Sequence, residues 1–292
     1  MEDKIMKKTI YFIAALLLLA SCGKETVQEP QTIEFQFNLP GTRATAAAFE
    51  ANDAISLYAV EWNGTTQMPL QVGGNFLNNE KLTYNGTTWT PERTLYWSNH
   101  ACDFYAVYPY QASVGSMEQY PFALATDQNA NDGYEASDLL YAKAENVVRA
   151  DGPVQMSFKH MMSKLVVRLI KGPNFEGDIP NDVVAHIYNT VGSCTVNWLT
   201  GSVEKDAFGA KPTITMKKID NENFEAVVVP QNLEKRTPLV ELTMGGIAYL
   251  LEYSLSFRPG YVHYIDVTLN TSPDQEQIEI SIDPGIDPWG NN

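Results

Sequence analysis

The chain has 292 residues, with 35 acidic and 20 basic side chains, a formal net charge of −15 and 44% hydrophobic residues. This hydrophobic content excludes a disordered protein, and the acidity argues against nucleic-acid binding because an acidic surface repels phosphates. Three cysteines are too few for a disulfide scaffold, and their spacing fits no zinc site. At about 100–150 residues per domain, the length predicts two domains.

The N-terminus has the features of an export signal. A lysine-rich start precedes the apolar run 10–20, which is too short for a permanent transmembrane helix but typical of a signal peptide. The run ends in Leu19-Ala20-Ser21-Cys22, the pattern of a bacterial lipobox; an ordinary signal peptide with an incidental cysteine is the alternative. We therefore expect residues 1–21 to be removed and Cys22 to be lipidated. The lipid would anchor the protein to the cell envelope through a polar tether at 23–30.

Alternating apolar and polar residues dominate the chain after this tether. Ile33, Phe35 and Phe37 alternate with polar neighbours and predict a half-buried strand, which Pro40-Gly41 ends. Asn85-Gly86 lies between two β-rich runs and predicts a tight hairpin turn. Helical character is restricted to 45–51 and 136–141. Further strands are predicted at 55–59, 82–84, 87–89, 96–97, 104–108, 155–170, 183–188, 193–198, 213–217, 224–229, 239–243, 248–257, 261–269 and 277–282.

Many short β-rich segments separated by turn signals predict an all-β fold made of β-sandwiches. The run 149–153 (RADGP) is a cluster of strand-breaking residues and predicts a domain boundary. We therefore expect an N-terminal β-sandwich domain at 44–152 and a C-terminal one at 153–292. Residues 22–43 precede them as a lipidated N-terminal segment.

The sequence gives little indication of catalysis or of metal and cofactor binding. The four histidines stand at no metal-ligand spacing, and no nucleophile elbow, phosphate loop or dinucleotide motif occurs. Two of the many carboxylates could form a glycosidase pair, but a solvated surface role is the preferred interpretation. We therefore expect no enzyme activity, no cofactor and no metal.

Two smaller features have alternative interpretations. Asp127, Asn129, Asn131 and Asp138 stand at positions 1, 3, 5 and 12 of a calcium loop of the EF-hand type. The glycine of that loop is one position late, so an ordinary Asn/Asp/Gly turn is preferred. The cysteines that remain after lipidation are interpreted as buried free thiols, with a disulfide as the alternative. These are Cys102 and Cys194.

A set of short motifs occurs along the chain in a fixed order. They are Thr42-Arg43, 52–55 (NDAI), Tyr96-Trp97, 103–109 (DFYAVYP), 138–142 (DLLYA), 156–165 (MSFKHMMSKL), 229–231 (VPQ), 261–264 (YVHY) and 288–290 (PWG). Together they resemble the fimbrillin family, the lipoprotein pilins of type V pili and their relatives in Gram-negative envelopes. The resemblance covers almost the whole chain, from the lipobox to the C-terminus.

The resemblance implies two transthyretin-like β-sandwich domains in tandem, located at the outer membrane and then in the fimbria. It also implies processing by an arginine-specific protease, for which the matching bond is Arg43-Ala44. Cleavage there would release the strand at 33–37 with the lipid, and a strand of another pilin subunit would refill the groove. The expected donor is the tail 277–289, while a resident edge strand is the alternative. Within it, Ile278, Ile280 and Ile282 alternate with polar residues.

The sequence thus predicts a structural pilus subunit or fimbrillin-like adhesin, in a stalk, tip, anchor or accessory role. Its expected partners are other pilin subunits, the outer membrane before processing, and an unidentified ligand on a host or bacterial surface. An outer-membrane carbohydrate-binding lipoprotein is the alternative, because 15 Tyr and 5 Trp could supply stacking surfaces. Most of these aromatic residues fall at strand positions, where core packing is the preferred interpretation.

Overall fold

Alternating sequence produces strands throughout the described part of the chain, and helix is nearly absent from it. The computed structural model describes residues 30–39, 49–270 and 280–289, with the backbone alone at 280–283. The described residues from Ile33 onward form one compact unit. The all-β fold expected from the sequence is confirmed. The tandem transthyretin-like arrangement remains a prediction.

The described residues of the first part of the chain contain ten strands and one short helix. They are β1 (Phe35–Asn38), β2 (Ala54–Asn63), β3 (Thr66–Gln67), β4 (Leu77–Tyr84), β5 (Trp89–Pro91), β6 (Cys102–Tyr108), β7 (Tyr120–Ala123), the helix α1 (Gly133–Ser137), β8 (Leu140–Val147), β9 (Val154–Ser157) and β10 (Lys159–His160). Within the described residues, no helix has the length and apolar character needed to cross a membrane.

The strands of the second part complete the chain. They are β11 (Ser163–Lys171), β12 (Val184–Ile187), β13 (Ser193–Asn197), β14 (Ser202–Lys205), β15 (Ile214–Thr215), β16 (Lys217–Lys218), β17 (Asn223–Val228), β18 (Gln231–Asn232), β19 (Thr237–Met244), β20 (Ile247–Tyr253), β21 (Ser256–Phe257), β22 (Tyr261–Leu269) and β23 (Ile280–Pro288).

A seven-stranded sheet dominates the first part, in the order β10-β8-β6-β2-β4-β5 with β3 paired to β2. Both of its faces are buried. Along β2, Leu57 and Ala59 face one hydrophobic core, whereas Tyr58 and Val60 face another, and none is more than 1% exposed. The sequence pattern indicated only the first of these faces. The second is buried because strands from the other part of the chain pack against it.

The hairpin turn predicted at Asn85-Gly86 joins β4 to β5. Gly86 has φ of +93°, in the left-handed region that glycine enters without strain. The side-chain oxygen of Asn85 accepts hydrogen bonds from the N–H groups of Thr87 and Thr88, each at 2.9 Å. Local sequence therefore determines this turn.

Four local predictions are wrong. The predicted strand 248–257 is divided into β20 and β21, which pair with different strands. Tyr96-Trp97 forms no strand; next to it, the Leu95 carbonyl accepts the N–H of Ile33, two residues before β1. The segment 155–170 is divided into β9, β10 and β11 because the chain moves between three sheets. The helical turn expected at 136–141 lies earlier, in α1, and its last residues belong to β8.

The second part of the chain forms a five-stranded sheet, β16-β17-β11-β22-β23, and a four-stranded sheet, β15-β12-β19-β20. Trp198 and Phe224 are fully buried in its core. Strand β7 lies in the predicted N-terminal domain, yet it pairs with β13 of the predicted C-terminal domain. The domain boundary at 152/153 remains a prediction.

Candidate functional site

The N-terminal strand β1 is joined to another strand along one edge only. It pairs in parallel with β9, and the N–H of Val154 donates to the carbonyl oxygen of Glu34 at 2.8 Å. In a parallel ladder, the N–H and C=O of one residue point to one side, and those of the next residue point to the opposite side. The backbone groups of Phe35 and Phe37 therefore face away from β9. On that side, no described strand pairs with β1.

Aromatic contacts anchor the side chains of β1. The ring centroid of Phe37, a residue only 9% exposed, lies 5.4 Å from those of both Trp89 and Phe158. The ring of Phe35 meets that of Phe104 edge to face, also at 5.4 Å between centroids. Removal of β1 would open an apolar groove lined by Trp89, Phe104 and Phe158. We call this groove the β1 seat.

A cleft of about 560 Å³ lies beside the free edge of β1. Its opposite wall is the β4–β5 hairpin, which contributes Tyr84, Thr88 and Trp89. The rings of Tyr84 and Trp89 pack against each other with centroids 5.2 Å apart. The free edge of β1 therefore meets open space instead of a neighbouring strand.

The described residues next to the predicted processing site are Leu39 and Phe49. Both line a cleft of about 670 Å³, so the two ends of the segment 40–48 lie at the same opening. Phe49 is fixed there by edge-to-face packing on Trp89, with 4.9 Å between ring centroids. Arg43 and Ala44 themselves lie outside the described residues, as does Cys22. Carboxylates also line this cleft: Glu50, Asp53, Asp132, Glu135 and Asp138.

The C-terminal strand β23 lies at the edge of the five-stranded sheet, antiparallel to β22. Ile280 stands opposite Leu269, and Ile282 stands opposite Val267. Ile278 lies outside the described residues. In the single chain, the described part of the predicted donor segment is thus a resident edge strand, the alternative to a donor strand.

The pairing register shows which backbone groups of β23 remain free. The N–H of Trp289 donates to the carbonyl oxygen of Gly260 at 2.7 Å. Because bonded and non-bonded pairs alternate in an antiparallel ladder, the odd-numbered residues of β23 bond to β22. The even-numbered residues face the open side, and they include Pro284 and Pro288. The two prolines therefore remove no hydrogen bond from the β22 ladder.

The end of β23 is held against the seven-stranded sheet. The ring of Trp289 stacks on that of His160 in β10, with centroids 3.9 Å apart and planes 4° from parallel. The Nδ1 atom of His160 lies 2.8 Å from a carboxylate oxygen of Asp138, which fixes the orientation of the imidazole. Trp289 belongs to the 288–290 (PWG) motif, but the motif does not indicate this partner. Sequence does not show which residues 129 positions apart will meet.

Three of the four residues of the calcium-loop alternative, Asp127, Asn129 and Asp138, have protein partners. The side-chain oxygen of Asn129 accepts a hydrogen bond from the N–H of Lys218 at 2.8 Å. A side-chain oxygen of Asp127 accepts one from the N–H of Asn129 at 3.0 Å, while Asp138 bonds to His160. Across the described ranges, no three His, Cys, Asp or Glu side chains are grouped as a metal site. An ordinary turn explains this segment.

Cys102 and Cys194 are buried free thiols, which confirms the preferred interpretation of both. Burial is the main cause that raises the pKa of each thiol to about 12. Acidic side chains, led by Glu61 for Cys102 and by Asp206 for Cys194, raise both pKa values further. Neither thiol is therefore a nucleophile at neutral pH.

Solved structures of proteins assigned to cell adhesion share this fold. One from Bacteroides ovatus is 18% identical, with a TM-score of 0.71 over 90% of this chain and 99% of that chain. Another, from Bacteroides uniformis, is 21% identical, with a TM-score of 0.68 over 89% of this chain and 98% of that chain. At these identities, the similarity shows the all-β fold and nothing finer.

A family model described as fimbrillin-like matches residues 42–289. The chain therefore belongs to the fimbrillin-like family, which confirms the resemblance drawn from the motifs. This family comprises fimbrial and adhesion proteins and is not a family of enzymes. A curated relative from Bacteroides ovatus, assigned as the fimbrium tip subunit Fim1C, is 29% identical over 150 residues. The match covers 45% of this chain but only 27% of that relative.

Proposed function

We propose that this protein is a structural subunit of a cell-surface pilus, or a fimbrillin-like adhesin, which is exported as a lipoprotein and assembles by strand exchange. In this proposal, lipidated Cys22 holds the precursor at the outer membrane until a protease cuts the Arg43-Ala44 bond. The cut frees β1 together with the lipid. A strand of a neighbouring subunit then occupies the β1 seat. Membership of the fimbrillin-like family and the similarity to a fimbrium tip subunit support this role.

The observation that carries the proposal is the way in which β1 is held. A single ladder joins it to β9, while the rings of Phe35 and Phe37 fill the β1 seat. Loss of β1 would leave the N–H of Val154 without its acceptor and expose the aromatic walls of the seat. A strand from another chain can pair with the free N–H and C=O groups of such an edge and cover the apolar surface beside it, which is β-augmentation. Removal of β1 therefore creates a binding site for a strand.

The tail has a segment that suits the β1 seat. Ile278, Ile280 and Ile282 are spaced two residues apart, as are the apolar residues of 33–37. Because side chains alternate along a strand, all three isoleucines would enter the seat together. The first proline after them is Pro284, so a strand over these isoleucines retains every N–H for pairing on both edges. We therefore assign this segment as the donor.

Controlled proteolysis of the purified precursor tests the proposal. Treatment with an arginine-specific protease should yield a chain that begins at Ala44 and then forms SDS-resistant ladders. The Arg43→Ala variant should stay uncut and monomeric under the same conditions. A wild-type chain that is cut at Arg43 yet remains monomeric would overturn the assembly proposal.

Paired variants of the tail test the donor assignment. Ile280→Asp places a charge among the residues that would enter the β1 seat and should abolish the ladders after cleavage. Ser281→Asp adds the same charge at the neighbouring position, on the opposite face of the strand, and should leave the ladders intact. Equal assembly of both variants would rule out this donor segment. Glycan binding by the uncut monomer, with no assembly, would instead favour the carbohydrate-binding alternative.

A further inference from the structure

Trp289 is the most strongly held described residue at the end of β23. The five residues before it, 284–288, are exposed, whereas Trp289 is half-buried and packs against the large core. Ile286, the one large apolar side chain among those five, is 45% exposed. The end of the strand is thus attached by its ladder to β22 and by the side chain of Trp289.

Three groups surround Trp289. His160 stacks on its ring, and the Nζ of Lys164 lies 5.7 Å from the ring centroid, within range of a cation–π interaction. Lys164 is held there by an ion pair with Glu225, with Nζ 2.9 Å from the carboxylate oxygen. Gly260 accepts the backbone N–H of Trp289 at 2.7 Å. We call Trp289, His160, Lys164 and Gly260 the tail clip.

Other contacts hold the residues of the tail clip in place. His160 is 6% exposed and is oriented by Asp138. Gly260 has φ of +72°, and a Cβ there would lie 3.3 Å from the carbonyl oxygen of His160. Glycine thus permits both the turn before β22 and its close approach to β10. The clip joins the end of the tail to the seven-stranded sheet, whereas the β22 ladder joins it to the five-stranded sheet.

From this geometry we infer that the tail clip keeps the C-terminal strand on its own subunit and that opening of the clip is the step that makes the strand available to a neighbour. The inference rests on the proposed function, since it concerns the regulation of the same donor strand. A strand that is paired with β22 and fastened at its end cannot enter another subunit. Release at Trp289 leaves only the ladder, which can then open from its free end.

Hydrogen exchange of the uncut precursor measures the clip without any need for assembly. In Trp289→Ala, the protected amides of residues 281–287 should exchange roughly tenfold faster than in the wild-type chain, since the stacking contact resists local opening. Ile286→Ala removes an exposed side chain of the same strand and should leave the exchange rates unchanged. His160→Asn removes the ring that stacks on Trp289 and so opens the clip from the other side. The asparagine amide can still donate to Asp138 in place of Nδ1, so that this carboxylate keeps its partner. This variant should reproduce the effect of Trp289→Ala.

Assembly after cleavage at Arg43 gives the second measurement. Trp289→Ala and His160→Asn should form ladders faster than the wild-type chain, and Ile286→Ala should match the wild type. Exchange rates in both clip variants equal to those of the wild type would overturn the inference, even if ladders form normally. Faster exchange with no ladders in any chain would support the clip and contradict the proposed strand exchange, so the two failures are distinguishable.

Discussion

Gln128 and Val227 are joined by two hydrogen bonds, although 99 residues separate them. The side-chain N–H of Gln128 donates to the carbonyl oxygen of Val227 at 2.9 Å, and its side-chain oxygen accepts the Val227 N–H at 2.7 Å. The amide of Gln128 thus pairs with β17 as a strand would. Both residues are at most 1% exposed, so no water can take over these bonds.

Replacement of this amide should destabilise the protein strongly. Gln128→Leu leaves the buried N–H and C=O of Val227 unpaired, for an expected loss of about 3 kcal/mol in the free energy of unfolding. Chemical denaturation of the uncut precursor measures the loss. Gln119→Leu, at an exposed position, is the control and should change stability by less than about 0.5 kcal/mol. Equal stability of the two variants would contradict this account of Gln128.

The aromatic anchor of β1 makes a prediction for the uncut precursor. Phe37→Ala removes a ring that contacts Trp89 and Phe158 and should lower the free energy of unfolding by about 3 kcal/mol. Glu34→Ala, on the exposed side of the same strand, should have little effect. If the loss is as small for Phe37→Ala as for Glu34→Ala, β1 is not anchored as described. Denaturation curves of the two precursors provide the comparison.

His263 should make stability depend on pH. Burial, and secondarily the charge of Arg258, lower the pKa of His263 to about 4. Its Nε2 accepts the N–H of Arg258 at 3.1 Å, a bond that requires this nitrogen to be unprotonated. The unfolded chain, with a pKa of about 6.5, binds the proton that the folded chain excludes. The contribution of neutral His263 to the free energy of unfolding is therefore complete above about pH 6.5 and is lost as the pH falls to about 4.

The loss attributable to His263 should reach about 3 kcal/mol over this pH range. Unfolding measured from pH 7 to pH 4 should show it as a steeper decline for the wild-type chain than for His263→Gln. His100→Gln, at an exposed position, should follow the wild-type curve. Parallel curves for wild type and His263→Gln would show that another group titrates.

The two internal thiols should be inert in the folded chain. Cys102 and Cys194 are at most 1% exposed, and their pKa values of about 12 leave almost no thiolate at pH 8. A thiol reagent at pH 8 should label neither Cys102 nor Cys194 in the native uncut precursor and both in denaturant. Ser113→Cys adds a thiol at an exposed position and should be labelled at once. Rapid labelling of either native cysteine would contradict the burial described.

Local sequence predicted the parts of the candidate site that depend on local physics. The alternation of Ile33, Phe35 and Phe37 indicated a strand with one apolar face, and the structure buries Ile33 and Phe37 on that face. The Asn85-Gly86 turn, which positions the wall of the β1 seat, was predicted because glycine relieves a positive φ. The alternation and the turn residues are each contained within a few consecutive residues, so the sequence alone predicts them.

Long-range pairing could not be predicted in this way. Phe35 lies opposite Val154, and no local pattern encodes a register between residues so far apart. Strand β7 was missed because Pro121 interrupts its β-rich run, although a strand with few partners tolerates proline. The stacking of Trp289 on His160 likewise depends on how the sheets pack. Tertiary contacts, not propensity, determine these features.

The orientation of Pro284 and Pro288 has a consequence for crowding at the cell surface. An open sheet edge with every N–H available can merge with the edge of any other molecule and lead to amorphous clumping. On β23 the outward-facing row lacks two of these donors, at Pro284 and Pro288, while its inward-facing row is complete. A second sheet that pairs with this edge would therefore find no N–H donor at these two positions. This edge thus lacks the continuous row of N–H donors that merging with another sheet would require.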